Sequence, residues 1–240
     1  VGFAQITFRR LPNNVYGRKP EKGVLTKGFK ELKQVFKEFR RTKRLKRFLY
    51  SFFFYNAGVQ TVMLMAALFA SQEIEWEIFG KSGLIISILL IQILGAAGAF
   101  IMSRVSGKFG NLKSLRVVVV MWVVMCIIAY FIRTEIEFFM LAAGVGLVMG
   151  GVQALSRSTY SKFLPETEDH ASYFSFYDAT EKIGIVVGLF FFGLMELLTG
   201  DLRSSVLSLI ALFSIGFLLL IFVPQKERDL SIGSNDILDD

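Results

Sequence analysis

Cysteine and histidine are almost missing from this sequence, which has one of each, Cys126 and His170, among 240 residues. A single cysteine excludes a disulfide framework and any cysteine-cluster metal site, and a single histidine leaves little room for a histidine-based catalytic or metal centre. No metal and no cofactor is expected. Proline is scarce too, limited to Pro12, Pro20, Pro165 and Pro224. The long apolar stretches show no alternation at period two, so strands are excluded there. Charge is thin over most of the chain. Residues 1–47 hold 15 Lys/Arg against 3 Asp/Glu, whereas the other 193 residues hold 12 against 17. The overall charge of +7 therefore belongs to one segment, which excludes a soluble DNA-binding domain.

What is abundant is apolar surface. Hydrophobic residues make up 53% of the chain, Phe alone supplies 25, and the mean hydropathy is +0.53. A soluble chain of this size needs far more polar surface to cover itself. A bilayer core of about 30 Å takes about 20 apolar helical residues to cross. Six stretches qualify: Phe48–Ala70, Gly83–Ser103, Leu115–Ile132, Ile136–Phe163, Tyr173–Leu198 and Ser204–Val223. Only a helix satisfies its own backbone in lipid without closing a barrel. The expected fold is an all-α bundle of six transmembrane helices over residues 48–224, preceded by a basic segment (1–47) and followed by a disordered cytoplasmic tail (225–240). The chain opens on Val1 rather than Met and is expected to be part of something longer.

Loop charges give the direction. The segment before the first stretch is strongly basic, the loop after it carries Glu73, Glu75 and Glu77 against Lys81, and the next carries Arg104, Lys108 and Lys113 with no acid. Both termini are therefore expected in the cytoplasm. Lys27–Arg47 predicts a helix with Phe29, Leu32, Phe36 and Phe39 along one stripe and cations over much of the rest. Such a helix suits the anionic inner leaflet. Nucleic acid is the other partner that its cations could serve, but no stacking platform or reader motif accompanies them.

Gly146 and Gly150 on the fourth stretch, and Gly184 and Gly188 on the fifth, are spaced for close helix–helix approach. Tight packing is the preferred reading, and sliding surfaces in a moving transporter are the alternative. The fifth stretch has only 13 uncharged residues between Lys182 and Glu196, about 20 Å at 1.5 Å per residue. It must draw Asp178, Glu181 and Lys182 into the membrane, where charges face a protein interior or an aqueous cavity. Asp178 and Lys182 are spaced to pair on one helix face, and Arg157 is the candidate to meet the remaining carboxylate. Asn56 with Gln60, and Gln153 with Arg157, put two polar residues on one face of the first and fourth stretches. They line a solute path or bond between helices. For Gln92 the interhelical bond is preferred. Polar faces on the first and fourth stretches fit a repeat of three plus three spans.

The runs Gly150-Gly151-Val152-Gln153-Ala154-Leu155-Ser156-Arg157-Ser158 and Ser175-Phe176-Tyr177-Asp178-Ala179-Thr180-Glu181-Lys182 resemble the vacuole-effluxer-like family of the major facilitator superfamily, over roughly residues 45–224. The loop Ser106-Gly107-Lys108-Phe109-Gly110-Asn111-Leu112-Lys113 is similar to the short signature between the second and third helices of that superfamily. Gly107 stands where an Asp is usual, so the carboxylate-mediated gate contact is not carried over, whereas Lys108, Gly110 and Lys113 are. The resemblance implies a twelve-helix secondary transporter of which this chain is the second half. The partner is then an N-terminal six-helix half of the same protein, and the cargo a small polar solute. Fungal members of the family are associated with amino-acid efflux from the vacuole. Residues 1–47 become the end of a preceding span plus the central cytoplasmic loop. The path candidates are Asn56, Gln60, Gln153, Arg157, Asp178, Glu181 and Lys182, and one carboxylate among them could exchange a proton. The expected location is a bacterial plasma membrane.

Two rival functions carry less. An intramembrane protease needs a Ser–His pair or paired aspartates within the membrane, but the one His is in a polar loop and only one Asp is intramembrane. A non-transporting membrane scaffold or sensor shares the composition and is separated by solute uptake into vesicles. The basic segment itself is testable. A peptide spanning Lys27–Arg47 should turn helical on anionic vesicles and bind neutral ones far more weakly, each cation contributing about 1 kcal/mol before salt screening. Circular dichroism and vesicle co-sedimentation measure both, and equal binding to the two vesicle types contradicts the electrostatic reading.

Overall fold

A computed structural model of the chain describes residues 42–165 and 170–224, together with Gln5. The six apolar stretches form six helices: α1 (Lys43–Glu73), α2 (Lys81–Phe109), α3 (Asn111–Phe131), α4 (Glu135–Phe163), α5 (His170–Thr199) and α6 (Leu202–Ile221). Each is long and apolar enough to cross a membrane. Among the described residues there is no strand, only an isolated bridge between Glu75 and Thr134. The architecture is the six-helix, all-α membrane bundle that hydropathy predicts.

The helices outrun the apolar stretches where polar helix formers keep the backbone bonded past the lipid. This corrects two expectations. The loop expected over Arg104–Ser114 is mostly helix: α2 continues through Lys108 to Phe109 and α3 starts at Asn111, so Gly110 is the entire junction. Its φ of 86° and ψ of 149° lie in a region that only glycine enters freely. The second correction concerns the basic helix. Most of it, Lys27–Arg41, lies outside the described residues. Its last turn belongs instead to α1, because Thr42 is extended (φ −89°, ψ 94°) and α1 begins at Lys43. Two of its cations are turned to the bundle. Arg44 lies over the Phe163 ring at 3.9 Å, and Arg47 donates to the Phe222 carbonyl.

Neighbours in sequence scarcely touch within the first three helices. The most extensive contact is α2 on α4, and its counterpart is α5 on α1; α1 also packs on α6, α3 on α4, and α3 on α6. Exchanging the triplets α1–α3 and α4–α6 maps these contacts onto each other, the pattern expected of a three-plus-three repeat. Glycines lie in both cross-triplet contacts. A Cβ on Gly150 would collide with the Gly95 carbonyl of α2, and one on Gly188 with Ala57 and Thr61 of α1. Gly146 sits against Ile91, and Gly184 is close to Phe53. Around them, Trp122 stacks on Phe213 at 5.4 Å between α3 and α6.

Polar groups tie the two ends. At the end holding the α2–α3 junction, Arg116 donates to the carbonyls of Leu220, Ile221 and Val223, satisfying acceptors that the end of α6 leaves open. Leu164, before Pro165, is extended (ψ 140°), so α4 stops there. At the opposite end Arg203 of α6 pairs with the Glu73 carboxylate at 3.1 Å and donates to the carbonyls of Tyr130 and Ile132, linking α1, α3 and α6. Buried Glu135 accepts the backbone N–H groups of Ile78 and Phe79. Asp201 caps α6, and the Ser204 hydroxyl together with two backbone N–H donors holds its carboxyl below the usual range.

Two substitutions test this packing. Gly150→Ala inserts a methyl against backbone and should destabilise by about 1–3 kcal/mol. Arg203→Gln leaves Glu73 without its cation and should cost about 3 kcal/mol. Gly193→Ala, where a Cβ meets nothing within 4 Å, should be close to neutral. Thermal unfolding in detergent ranks the three, and a Gly150→Ala protein as stable as Gly193→Ala contradicts the close-approach reading.

Candidate functional site

On the side of the bundle away from α3, one polar cleft of about 50 Å³ opens between α1, α4 and α5. Asn56 and Gln60 reach it from α1, Gln153, Ser156 and Arg157 from α4, and Tyr177 and Glu181 from α5. Helical spacing explains the convergence. Asn56 and Gln60 are one turn apart, as are Gln153 and Arg157, and Tyr177 and Glu181, so each helix presents two consecutive polar turns to the same space. Five of the seven path candidates named from sequence line it: Asn56, Gln60, Gln153, Arg157 and Glu181.

The charges pair differently from the spacing rule. Asp178 does not bond Lys182. It faces Arg157 of α4 at 3.9 Å, and Lys182 instead meets its neighbour Glu181 at 3.4 Å. Tertiary position decides this. Arg157 stands across the cleft mouth from Asp178, while Glu181 is turned inward and only 15% exposed, so the long Lys182 stem bends back to it. Arg157 and Asp178 are 62% and 59% exposed, and an ion pair that open contributes about 0–1 kcal/mol. It is a contact that a solute could displace. Arg157 also lies 6.0 Å from the Tyr177 ring centre.

Asn56 is 6% exposed and its Nδ2 has no partner among the described residues. An unmet buried amide donor costs about 1–3 kcal/mol. Among the described residues, Gln153 has only a 3.5 Å contact to the Met63 sulfur. Gln92, expected to bond between helices, is exposed on α2 and lies outside the cleft.

Hydroxyls and rings build the floor, and sequence reading passed over them. Tyr55 and Ser156 share a buried hydrogen bond of 2.8 Å between α1 and α4. Tyr177 stacks on Phe52 at 4.3 Å and tilts against Tyr160 at 4.8 Å, and the Tyr160 hydroxyl donates to the Tyr173 carbonyl. Ser156 lies one turn from Gln153 and Tyr177 one turn from Glu181, a spacing that could have found them, whereas Tyr55, next to Asn56, has no such signal.

At the α2–α3 junction, Lys108 and Lys113 are exposed on either side of Gly110. The bonds from this junction run through Asn111, which donates to Ser158 and accepts from Lys162 of α4 at 2.9 Å each. No group of His, Cys, Asp and Glu that could hold a metal occurs among the described residues.

Comparison with known proteins places this architecture. The uncharacterized MFS-type transporter YxiO of Bacillus subtilis is 34% identical over 224 residues, covering 92% of this chain and 51% of that protein. Autophagy-related protein 22 of Yarrowia lipolytica is 31% identical over 218 residues, 85% of this chain and 36% of its own length. The same-named protein of Saccharomyces cerevisiae is 28% identical over 195 residues, 77% of this chain and 36% of its own. The chain thus spans about half the length, or less, of these curated relatives. No solved structure matches it. The family model described as vacuole effluxer Atg22 like matches residues 1–229. With that match and six membrane-spanning helices, the chain belongs to the vacuole-effluxer-like family of the major facilitator superfamily.

Proposed function

We propose that this chain is the second six-helix half of a secondary transporter that moves a small polar solute by alternating access. The polar cleft between α1, α4 and α5 carries the reading. Amides, a guanidinium and a carboxylate converge there, whereas the space lined by Val62, Phe69, Trp122 and Phe192 is apolar. Asn56 offers a buried donor that a solute oxygen would satisfy, Arg157 suits a carboxylate and Glu181 an ammonium. Amino acids are therefore the favoured solute class, in keeping with the vacuole effluxer description of the family. The facing wall comes from an N-terminal six-helix half of the same protein. A solute carboxylate taking Arg157 releases Asp178, and Asp178 or Glu181 is then the group to exchange a proton. The cationic end, with Arg104, Lys108 and Lys113, faces the cytoplasm together with both termini. The bacterial relative favours a plasma membrane.

Two experiments on the full-length protein test this. Glu181→Gln keeps shape and removes charge. It should leave abundance and solute exchange near normal while abolishing uphill, pH-driven uptake into vesicles. A structural clamp predicts the reverse, low abundance with normal transport by what survives. If Glu181→Gln and Asp178→Asn both leave abundance, exchange and uphill uptake unchanged, the coupling assignment is wrong. For direction, with Cys126 replaced, single cysteines at residues 73–77 should react with an impermeant reagent in intact cells and those at 106–113 should not. The opposite pattern inverts the topology.

A further inference from the structure

Another open space of about 490 Å³ runs between α3 and α4, toward the end that holds Glu73 and Arg203. Ile128 and Phe131 of α3 form one wall, Met140 and Leu141 of α4 the other. Phe131 is 71% exposed and Met140 65%. Glu137 is the one charged residue that lines it. At 3.6 residues per turn, Glu137, Met140 and Leu141 lie roughly 160°, 140° and 120° round α4 from Gln153. The groove thus sits on the far side of α4 from the polar cleft, and α3, which gives nothing to the cleft, supplies half of it. Solute binding in the cleft does not use this space.

Its polar mouth has a definite charge pattern. One oxygen of Glu137, Oε2, accepts the backbone N–H groups of Arg133 and Thr134 at 2.9 and 3.1 Å. This is the capping box that starts α4, and it fixes the carboxylate beside the groove. Oε1 takes no bond among the described residues. Arg133, one turn before, is exposed, and its side chain makes no ion pair with Glu137. A carboxylate fixed by its capping bonds therefore lines the groove, and the exposed Arg133, whose backbone N–H bonds that carboxylate, lies one turn before it. Such a pair complements a zwitterion that carries a primary ammonium and a phosphate, above an alkyl chain.

We infer that the α3–α4 groove binds a phosphatidylethanolamine molecule, its ammonium on Glu137, its phosphate on Arg133 and an acyl chain between α3 and α4. Two features select this lipid over its commoner alternatives. A quaternary choline has no N–H to give Oε1. An anionic glycerol headgroup meets an end of the bundle that also carries Glu75, Glu77 and Asp201, so repulsion opposes it.

Native mass spectrometry on the full-length protein, delipidated and offered equal phosphatidylethanolamine and phosphatidylcholine, tests the assignment. Wild type should retain one phosphatidylethanolamine at about tenfold preference, the lower end for a hydrogen bond to a charged group. Glu137→Gln preserves the capping box, since Gln also serves at that position. It should bring the preference to about one while lipid of either kind is still retained. Met140→Trp should fill the groove and lower retention of both lipids. If that variant fails to fold, Glu137→Gln decides alone. Soluble glycerophosphoethanolamine in excess should not displace the lipid, because the acyl chain supplies much of the binding. Equal retention of the two lipids by wild type, an unchanged preference in Glu137→Gln, or displacement by the free headgroup overturns the inference.

Discussion

Helices surrounded by lipid gain little from burying apolar surface against one another, so their association depends on how closely their backbones approach. In this bundle that approach is set where Gly150 meets Gly95 and where Gly188 meets Ala57. The two contacts hold α2 to α4 and α5 to α1, across rather than within the triplets. Once these pairs are fixed, α1 and α4 lie inside, and α3 and α6 close the bundle through Trp122 and Phe213. The cleft forms because the polar turns of α1, α4 and α5 are then left facing a common space.

The ends are organised by a different chemistry. Helix termini leave carbonyls without partners, and near the membrane few waters are available to meet them. Arginine serves at both ends. Arg116 and Arg47 close the last carbonyls of α6, and Arg203 gathers Tyr130, Ile132 and Glu73. The middle of the bundle thus keeps its charge for the cleft, while the ends use charge to hold helices together.

The helices were legible in the sequence because a membrane demands about 20 apolar residues per span and no soluble fold supplies six such runs. The convergence of Asn56, Gln60, Gln153, Arg157 and Glu181 was also accessible, since one-turn spacing and the short apolar run of the fifth stretch both point inward. The partner choices were not. Spacing allowed Asp178 to pair with Lys182, but Arg157 on another helix decides that pairing. Gln92 was expected to bond between helices and yet is exposed. Tyr55 and Ser156 read as ordinary filler until two helices brought their hydroxyls together. Thr134-x-x-Glu137 was a visible capping signature that hydropathy alone passed over.

The cross-triplet packing also sets an order of events during synthesis. From the end of α2 at Phe109 to the end of α4 at Phe163 there are 54 residues. At translation rates of about 5–20 residues per second, that interval is roughly 3–11 s. Throughout it α2 is in or near the bilayer with Gly95 and Gly98 uncovered, because the surface they fit does not yet exist. α1 waits longer, until α5 arrives. The first three helices share few contacts of their own and gain their main partners only as the second triplet follows. The bundle closes in steps, α2 gaining its main face with α4, and α1 gaining its own with α5 and then α6.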